Sequence, residues 1–258
     1  ISLYVVVDEK YYKDGIDITP EDMFRLNEEN PDFSSKSASP SPNDFSQIFK
    51  KIKDDGYDKV IFIGMGSNLS STILNSNLAD KHGLEVEVID SKTVTILEGL
   101  IVMYANDLLE DGLEFNQIVN KLNKAVGNSI AIGWIDSLRY LKAGGRLGKA
   151  ASKVSTALNF KPFMSIDGNG DFDLYKLKVS REKSYAKTIE KVRDHLEDKE
   201  NYYMAYLYGK DIGILDGVKK DLEDLEKNAK GVFQAPTGSV VAVHVGPQIY
   251  AVAYLLVD

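Results

Sequence analysis

The sequence predicts a mixed α/β protein in two parts. Residues 1–128 read as an N-terminal parallel-sheet α/β domain, and residues 129–258 as a C-terminal α+β domain with a mixed or antiparallel sheet. Two observations carry this. In the first half, short apolar runs alternate with helical patterns, as in strands joined by right-handed crossovers. In the second half, Asp167-Gly168-Asn169-Gly170 separates two strand-like runs, which is a hairpin signal, and further strands mix with helices.

Each element has its own justification. Leu3 to Val7 is apolar and rich in valine, a buried strand, and Tyr12-Lys13-Asp14-Gly15 is a turn. Thr19-Pro20-Glu21-Asp22 supplies an N-cap, a proline at the first helical position and an acidic first turn. Asn30 to Pro42, rich in Ser, Pro and Asp, reads as a loop. Ser41 and Pro42 then start a helix whose Phe45, Ile48, Phe49 and Ile52 form one apolar stripe, ended by Gly56. Lys59 to Gly64 reads as a central parallel strand buried on both faces. A helix over Ser70 to His82, a strand over Val86 to Asp90, and helices over Glu98 to Glu110 and Glu114 to Val126 follow.

The second half opens with a strand over Ser129 to Trp134 and a helix from Ser137, broken at Gly144-Gly145. The hairpin joins Phe163–Ile166 to Phe172–Lys178. Ser180 to Asp198 is a long helix, Tyr202 to Tyr208 a strand, and Gly217 to Lys230 helical. Ser239 to Val243 and Ile249 to Val257 read as strands.

Composition narrows the function. The 258 residues are 43% hydrophobic and 27% charged, ordinary for a globular protein. A net charge of -8 repels polyphosphate, so nucleic acid is not an expected partner. With no cysteine there are no disulfides, thiolate nucleophiles or thiolate metal sites. No run reaches the ~18 apolar residues that span a bilayer, and no signal peptide is visible. A cytoplasmic location is the expectation.

Four segments can carry chemistry. Gly64-Met65-Gly66-Ser67-Asn68-Leu69-Ser70-Ser71-Thr72 follows a buried strand and opens a helix, where free amides favour an anion. The Ser70 hydroxyl and the Ser71 amide are its candidate donors, although Ser67 and Ser70 also suit plain helix caps. Ser37 and Ser39 stand in a polar loop that reads equally as solvated surface. Arg146, after Gly144-Gly145, offers a forked donor for a carboxylate or phosphate, or is simply exposed beyond a helix end. His244 ends an apolar run before Gly246-Pro247, whereas His82 and His195 look like surface residues. The chain has no GxxxxGK[ST] loop, no GxSxG elbow, no GxGxxG fingerprint after a first strand and no HxxxH pair, so no metal site is expected.

Taken together these segments resemble the DegV family, with its TSxPS loop, SSxLSGT turn, VIDSK strand end, YLxxGGR segment and HxGP turn. Here they stand as Ser37-Ala38-Ser39-Pro40-Ser41, Gly66 to Thr72, Val88 to Lys92, Tyr140 to Arg146 and His244 to Pro247. Tyr12-Lys13-Asp14-Gly15 is similar to the family's YxDG. The match runs along essentially the whole chain, with Ser37 for Thr, Ala38 for Ser, Ser71 for Gly and Gln248 for Gly. The family's first strand, with its Asp-Ser motif, is expected to precede Ile1.

The resemblance implies a non-catalytic carrier that holds one long-chain fatty acid (palmitate, stearate or oleate) in a tunnel between the two domains, with no other cofactor. It implies that Ser37, Ser70, the Ser71 amide, Arg146 and His244 take the carboxylate. It also implies a fatty acid kinase that phosphorylates the bound acid to acyl phosphate, and transient membrane contact during lipid transport. Ile96, Leu100, Ile101, Leu158, Phe160 and Phe163, on apolar faces, are candidate tunnel liners, and most of them suit plain core equally. A second reading makes Ser70 and His244 a serine hydrolase acting on acyl esters, which needs an acid behind His244. A third is a phosphate- or nucleotide-binding module at Ser70.

Overall fold

The computed structural model describes residues 1–30, 35–147, 161–170 and 172–258. The chain begins with β1 (Tyr4–Val7) and β2 (Lys10–Lys13), then α1 (Pro20–Glu29) and β3 (Lys36–Ala38). The strands form an antiparallel sheet in the order β2-β1-β3. Two expectations are corrected here. The Tyr12–Gly15 turn begins inside a strand, and the segment read as a loop contains β3, which pairs Ser37 with Val5. Short edge strands of polar residues carry little periodicity, so composition alone reads them as loop.

Both early helices start as their sequences dictate. In α1, Thr19 and Asp22 form a capping box with Pro20 beside them, and in α2 (Pro42–Asp54) Ser41 and Asp44 do the same. β4 (Lys59–Gly64), α3 (Thr72–Leu78) and β5 (Glu85–Asp90) complete a parallel crossover, with Ile63 opposite Ile89. The parallel pairing stands, but β4 is half-buried along most of its length rather than covered on both faces. The helix read as Ser70–His82 is shorter. It begins at Thr72, because Ser70 bonds back to Gly66, and it ends at Leu78. α4 (Ile96–Glu110) and α5 (Phe115–Val126) follow.

The second half is built on one six-stranded sheet. In chain order come β6 (Ser129–Ile135), α6 (Arg139–Ala143), β7 (Phe163–Asp167), β8 (Phe172–Lys176), α7 (Arg181–Leu196) and β9 (Tyr202–Tyr208). Then come the short α8 (Asp216–Lys219) and α9 (Glu223–Glu226), β10 (Gly231–Pro236), α10 (Ser239–Val245) and β11 (Ile249–Leu256). The strand order is β10-β9-β11-β6-β7-β8, with β10 parallel to β9 and the other pairs antiparallel. The stretch expected as one helix over Gly217–Lys230 is instead broken into short turns of helix, and β10 follows it as a strand that the sequence pattern does not mark. Ser239–Val243 is helical, not a strand.

Strand alternation gives this sheet two unlike faces. Tyr202, Met204 and Tyr206 of β9, with Tyr250, Val252 and Tyr254 of β11, fill an aromatic core with Val192 and Leu196 of α7. His195, at the end of α7, bonds Tyr254 rather than standing free at the surface. The opposite face carries small residues. Leu207, Ala251, Gly133 and Met164 lie in one cross-strand row, and Ala205, Ala253, Ala131 and Ile166 in the next. Leu97, Leu100, Ile101 and Tyr104 of α4 cover one stretch of this face. Beyond α4, toward α6 and α10, the small side chains leave a furrow open.

Candidate functional site

Two cavities share one wall over this furrow. The first is lined by Ser37, Ser39, Ser70, Arg146 and His244 together with Leu3, Met65 and Leu69. The second is lined by Ala131, Gly133, Met164, Ile166, Leu207 and Ala251, among others. Val94, Leu141, Phe172, Val241 and Val245 line both. The two adjoin along this wall, one rich in polar groups and the other almost wholly apolar.

The polar end is assembled from four segments. β3 presents Ser37, whose hydroxyl lies 2.7 Å from Nε2 of His244. The turn after β4 presents Ser70, held in place by Asp90 at the end of β5. That carboxylate accepts from the Ser67 amide at 3.1 Å, the Ser67 hydroxyl at 2.6 Å and the Lys92 amide at 2.9 Å. Ser71 stands just before α3, so its amide belongs to those with no partner inside the helix. Its hydroxyl makes no cap and reaches Ser39 instead.

Arg146 arrives through a helix end. The Arg146 amide donates to Leu141 O at 3.0 Å and the Gly145 amide to Lys142 O at 3.1 Å, with Gly145 at φ +70°. This is the paired-bond C-terminal motif that calls for glycine. The guanidinium then bridges the two halves of the site, donating to Gly144 O at 2.6 Å and Leu69 O at 3.3 Å.

His244 sits on α10. The α10 amides of Ser239 and Val240 donate to the two Asp14 oxygens at 3.0 and 3.1 Å, so the Asp14 turn fixes this helix from across the molecule. Helical spacing brings Val241, His244 and Val245 to the cavity, while Val243 packs with Val5, Met23 and Phe24. The ring is buried, and that desolvation, reinforced by the Arg146 charge, pushes its pKa from 6.5 down to about 4. It is therefore neutral at physiological pH. With the proton on Nε2 it donates to Ser37, which frees the Ser37 hydroxyl to donate into the cavity. Gly144 backs the ring: a Cβ there would lie 2.0 Å from Nδ1.

The fold thus brings Ser37, Ser70, Arg146 and His244 to one cavity, with Ser71 adjoining it through Ser39. Ser39, a candidate of the same polar loop that the resemblance does not place on the carboxylate, lines this cavity too. Strand alternation carries the signal, since Ser37 and Ser39 are two residues apart on an extended segment and share a side.

The hydrolase arrangement is absent. His244 bonds Ser37, not Ser70, and its Nδ1 has no hydrogen-bond partner among the described residues. Ser70 instead bonds Ser39 and Thr72. Among the described residues no cluster of His, Asp or Glu could hold a metal, and no described helix is long and apolar enough to cross a membrane. The expected liners are also corrected. Leu100 and Ile101 are core under α4, Phe163 is core on the aromatic face, and Ile96 packs beside the core without lining either cavity. Leu158 and Phe160 lie outside the described residues.

Comparison with known proteins agrees with the architecture. The model of the DegV family, described as an uncharacterised protein family, matches residues 1–257. A DegV domain-containing protein of Clostridium acetobutylicum is 30% identical over 263 residues, covering 99% of this chain and 90% of its own. A stearic acid-binding protein from Eubacterium ventriosum superposes with a TM-score of 0.87 at 26% identity, covering 99% of this chain and 90% of the other. A DegV lipid binding protein from Thermotoga maritima gives 0.83 at 25% identity, covering 100% and 90%.

Proposed function

Since this chain belongs to the DegV family, we propose that it binds one long-chain fatty acid, palmitate, stearate or oleate, with its carboxylate at Ser37, Ser70, the Ser71 amide, Arg146 and His244. The observation that carries this is the adjacency of the two cavities: donors gather in one and hydrocarbon walls line the other. The acid known to sit in the Eubacterium ventriosum relative supports the same ligand class here.

The energetics favour such a ligand. A tail of ~14 methylenes gains up to about 11 kcal/mol on leaving water, before association costs. Each charge-assisted bond to the head adds about 1.5–3 kcal/mol. The tail sets affinity and the head sets direction. A nucleotide has no use for the apolar end.

The lining draws on both parts of the chain, Leu3 to Val94 from residues 1–128 and Leu141 to Val245 from residues 129–258. This supports a division near residue 128 with the ligand between the parts. We read the chain as a carrier without catalysis of its own, in keeping with a relative described as binding stearic acid. Such a carrier presents its carboxylate in the cytoplasm to a fatty acid kinase that makes acyl phosphate, and it meets the membrane transiently to collect or deliver lipid.

Titration calorimetry of the delipidated protein with stearate tests the site. Ser70→Ala and Arg146→Ala are each expected to weaken binding about tenfold or more while the fold survives. Unchanged affinity in both variants overturns the assignment. Acyl phosphate made from ATP by this chain alone overturns the carrier reading.

A further inference from the structure

Four hydroxyls stand in a row at the polar end. Ser71 Oγ donates to Ser39 Oγ at 3.0 Å, Ser39 Oγ lies 2.8 Å from Ser70 Oγ, and Ser70 Oγ lies 2.8 Å from Thr72 Oγ1. The Thr72 amide also donates to Ser70 Oγ at 3.3 Å. We propose that Ser71 and Ser39 are positioning residues that set the direction of the Ser70 proton, so that Ser70 is a committed donor to an anionic head.

The argument is a count of protons and lone pairs. A hydroxyl has one proton and accepts at two lone pairs. Ser71 spends its proton on Ser39. Ser39, an acceptor there, keeps its own proton, and in the proposed row that proton goes to Ser70, 2.8 Å away. The Ser70 oxygen then accepts from Ser39 and from the Thr72 amide, which fills both lone pairs. Its proton must point outward, to Thr72 Oγ1 in the empty site and to a carboxylate oxygen when one arrives. A carboxylate only accepts, so a site that offers it an unfilled hydroxyl oxygen gains nothing from that oxygen. A one-way row removes this wrong orientation in advance. Each bond in the row also polarises the next, which makes the last proton a stronger donor to a charge. Ser71 is exposed, and Ser39 and Ser70 are half-buried against the cavity. The row therefore runs from the surface inward.

This rests on the fatty-acid reading and goes further in assigning two residues that act through Ser70. The test compares stearate with octadecanol, which has the same tail and an uncharged head able to accept or donate. In Ser39→Ala and in Ser71→Gly, stearate is expected to bind about three- to tenfold more weakly, the range of one neutral hydrogen bond, while octadecanol is unchanged. The double variant is expected to lose no more than Ser39→Ala alone, because the Ser71 hydroxyl acts only through Ser39 and glycine keeps the Ser71 amide. Ser39→Thr, which keeps the hydroxyl, is expected to recover the wild-type ratio of the two ligands. Equal losses for both ligands, full additivity, or unchanged stearate binding in Ser39→Ala each overturn the row. A wild-type protein that takes up neither ligand overturns the fatty-acid reading itself, which separates the two failures.

Discussion

Gly144→Ala isolates one contact of the site. Gly144 has φ -78°, a value any residue adopts, so alanine there brings no backbone strain. A Cβ would nevertheless lie 2.0 Å from His244 Nδ1 and 2.6 Å from Cε1. Neither atom can stay, and the ring is the part free to turn. Moving it breaks the 2.7 Å bond to Ser37 and leaves that hydroxyl unoriented. The head then loses about one charge-assisted bond, about 1.5–3 kcal/mol, or about ten- to a hundredfold in affinity. Gly112→Ala is the matched control. Gly112 has φ +77° and open space around its missing Cβ, so alanine there costs stability through strain, about 1 kcal/mol, without touching the ligand. Calorimetry with stearate on both delipidated variants, alongside thermal melts, gives the answer. Gly144→Ala should lose binding and some stability together, because the displaced ring is buried, whereas Gly112→Ala should lower melting and leave binding unchanged. Wild-type affinity in Gly144→Ala would show that His244 does not orient a donor of the site.

Three further outcomes follow from the same contacts. Ala251→Leu, in the furrow between Leu207 and Gly133, puts about three more carbons where the tail lies. Stearate should weaken by about 2 kcal/mol while shorter acids are spared, and an unaltered chain-length profile in displacement assays would refute that path. Asp14→Ala removes both acceptors at the start of α10. It should cost about 1–2 kcal/mol of stability by denaturant titration and weaken stearate binding through His244; a variant as stable as wild type contradicts the capping role. The unfolded chain protonates His244 below about pH 6.5, but the folded chain only near pH 4. Stability from this group is therefore complete above pH 6.5 and lost as pH falls toward 4, by up to about 3 kcal/mol. His244→Gln should flatten that part of the pH profile of the delipidated protein, and an identical fall in both proteins would refute it.

The legible parts of the fold were those with local, redundant signals. Ser41 with Pro42 and the stripe through Phe45 and Phe49 specified α2 almost to the residue. The run from Lys59 to Gly64 specified β4, and the Asp167–Gly170 turn the hairpin. The misread α10 shows what local pattern lacks. Ser239–Val245 is mostly β-branched and looks like a strand, yet Asp14, more than two hundred residues away in sequence, caps its amides, and packing on Val5 and Met23 completes it. Only as a helix does it turn Val241, His244 and Val245 to the same side. The site residues were legible one by one because each sits beside a turn or helix end. Ser39 joins the site through Ser70 and Ser71 of a distant turn, a pairing that no local pattern around Ser39 marks. The tunnel wall was missed because it depends on the small residues of one sheet face, and pairing across strands is not written in any single strand.

The central claim is that one acyl chain lies along the furrow with its carboxylate at the polar end. Native mass spectrometry of the purified, undenatured chain tests it most directly. The account predicts a single adduct with the mass of palmitate, stearate or oleate, removed by delipidation and restored one-to-one by added stearate. A bare chain that takes up no stearate, or a polar adduct such as a nucleotide in its place, would contradict it.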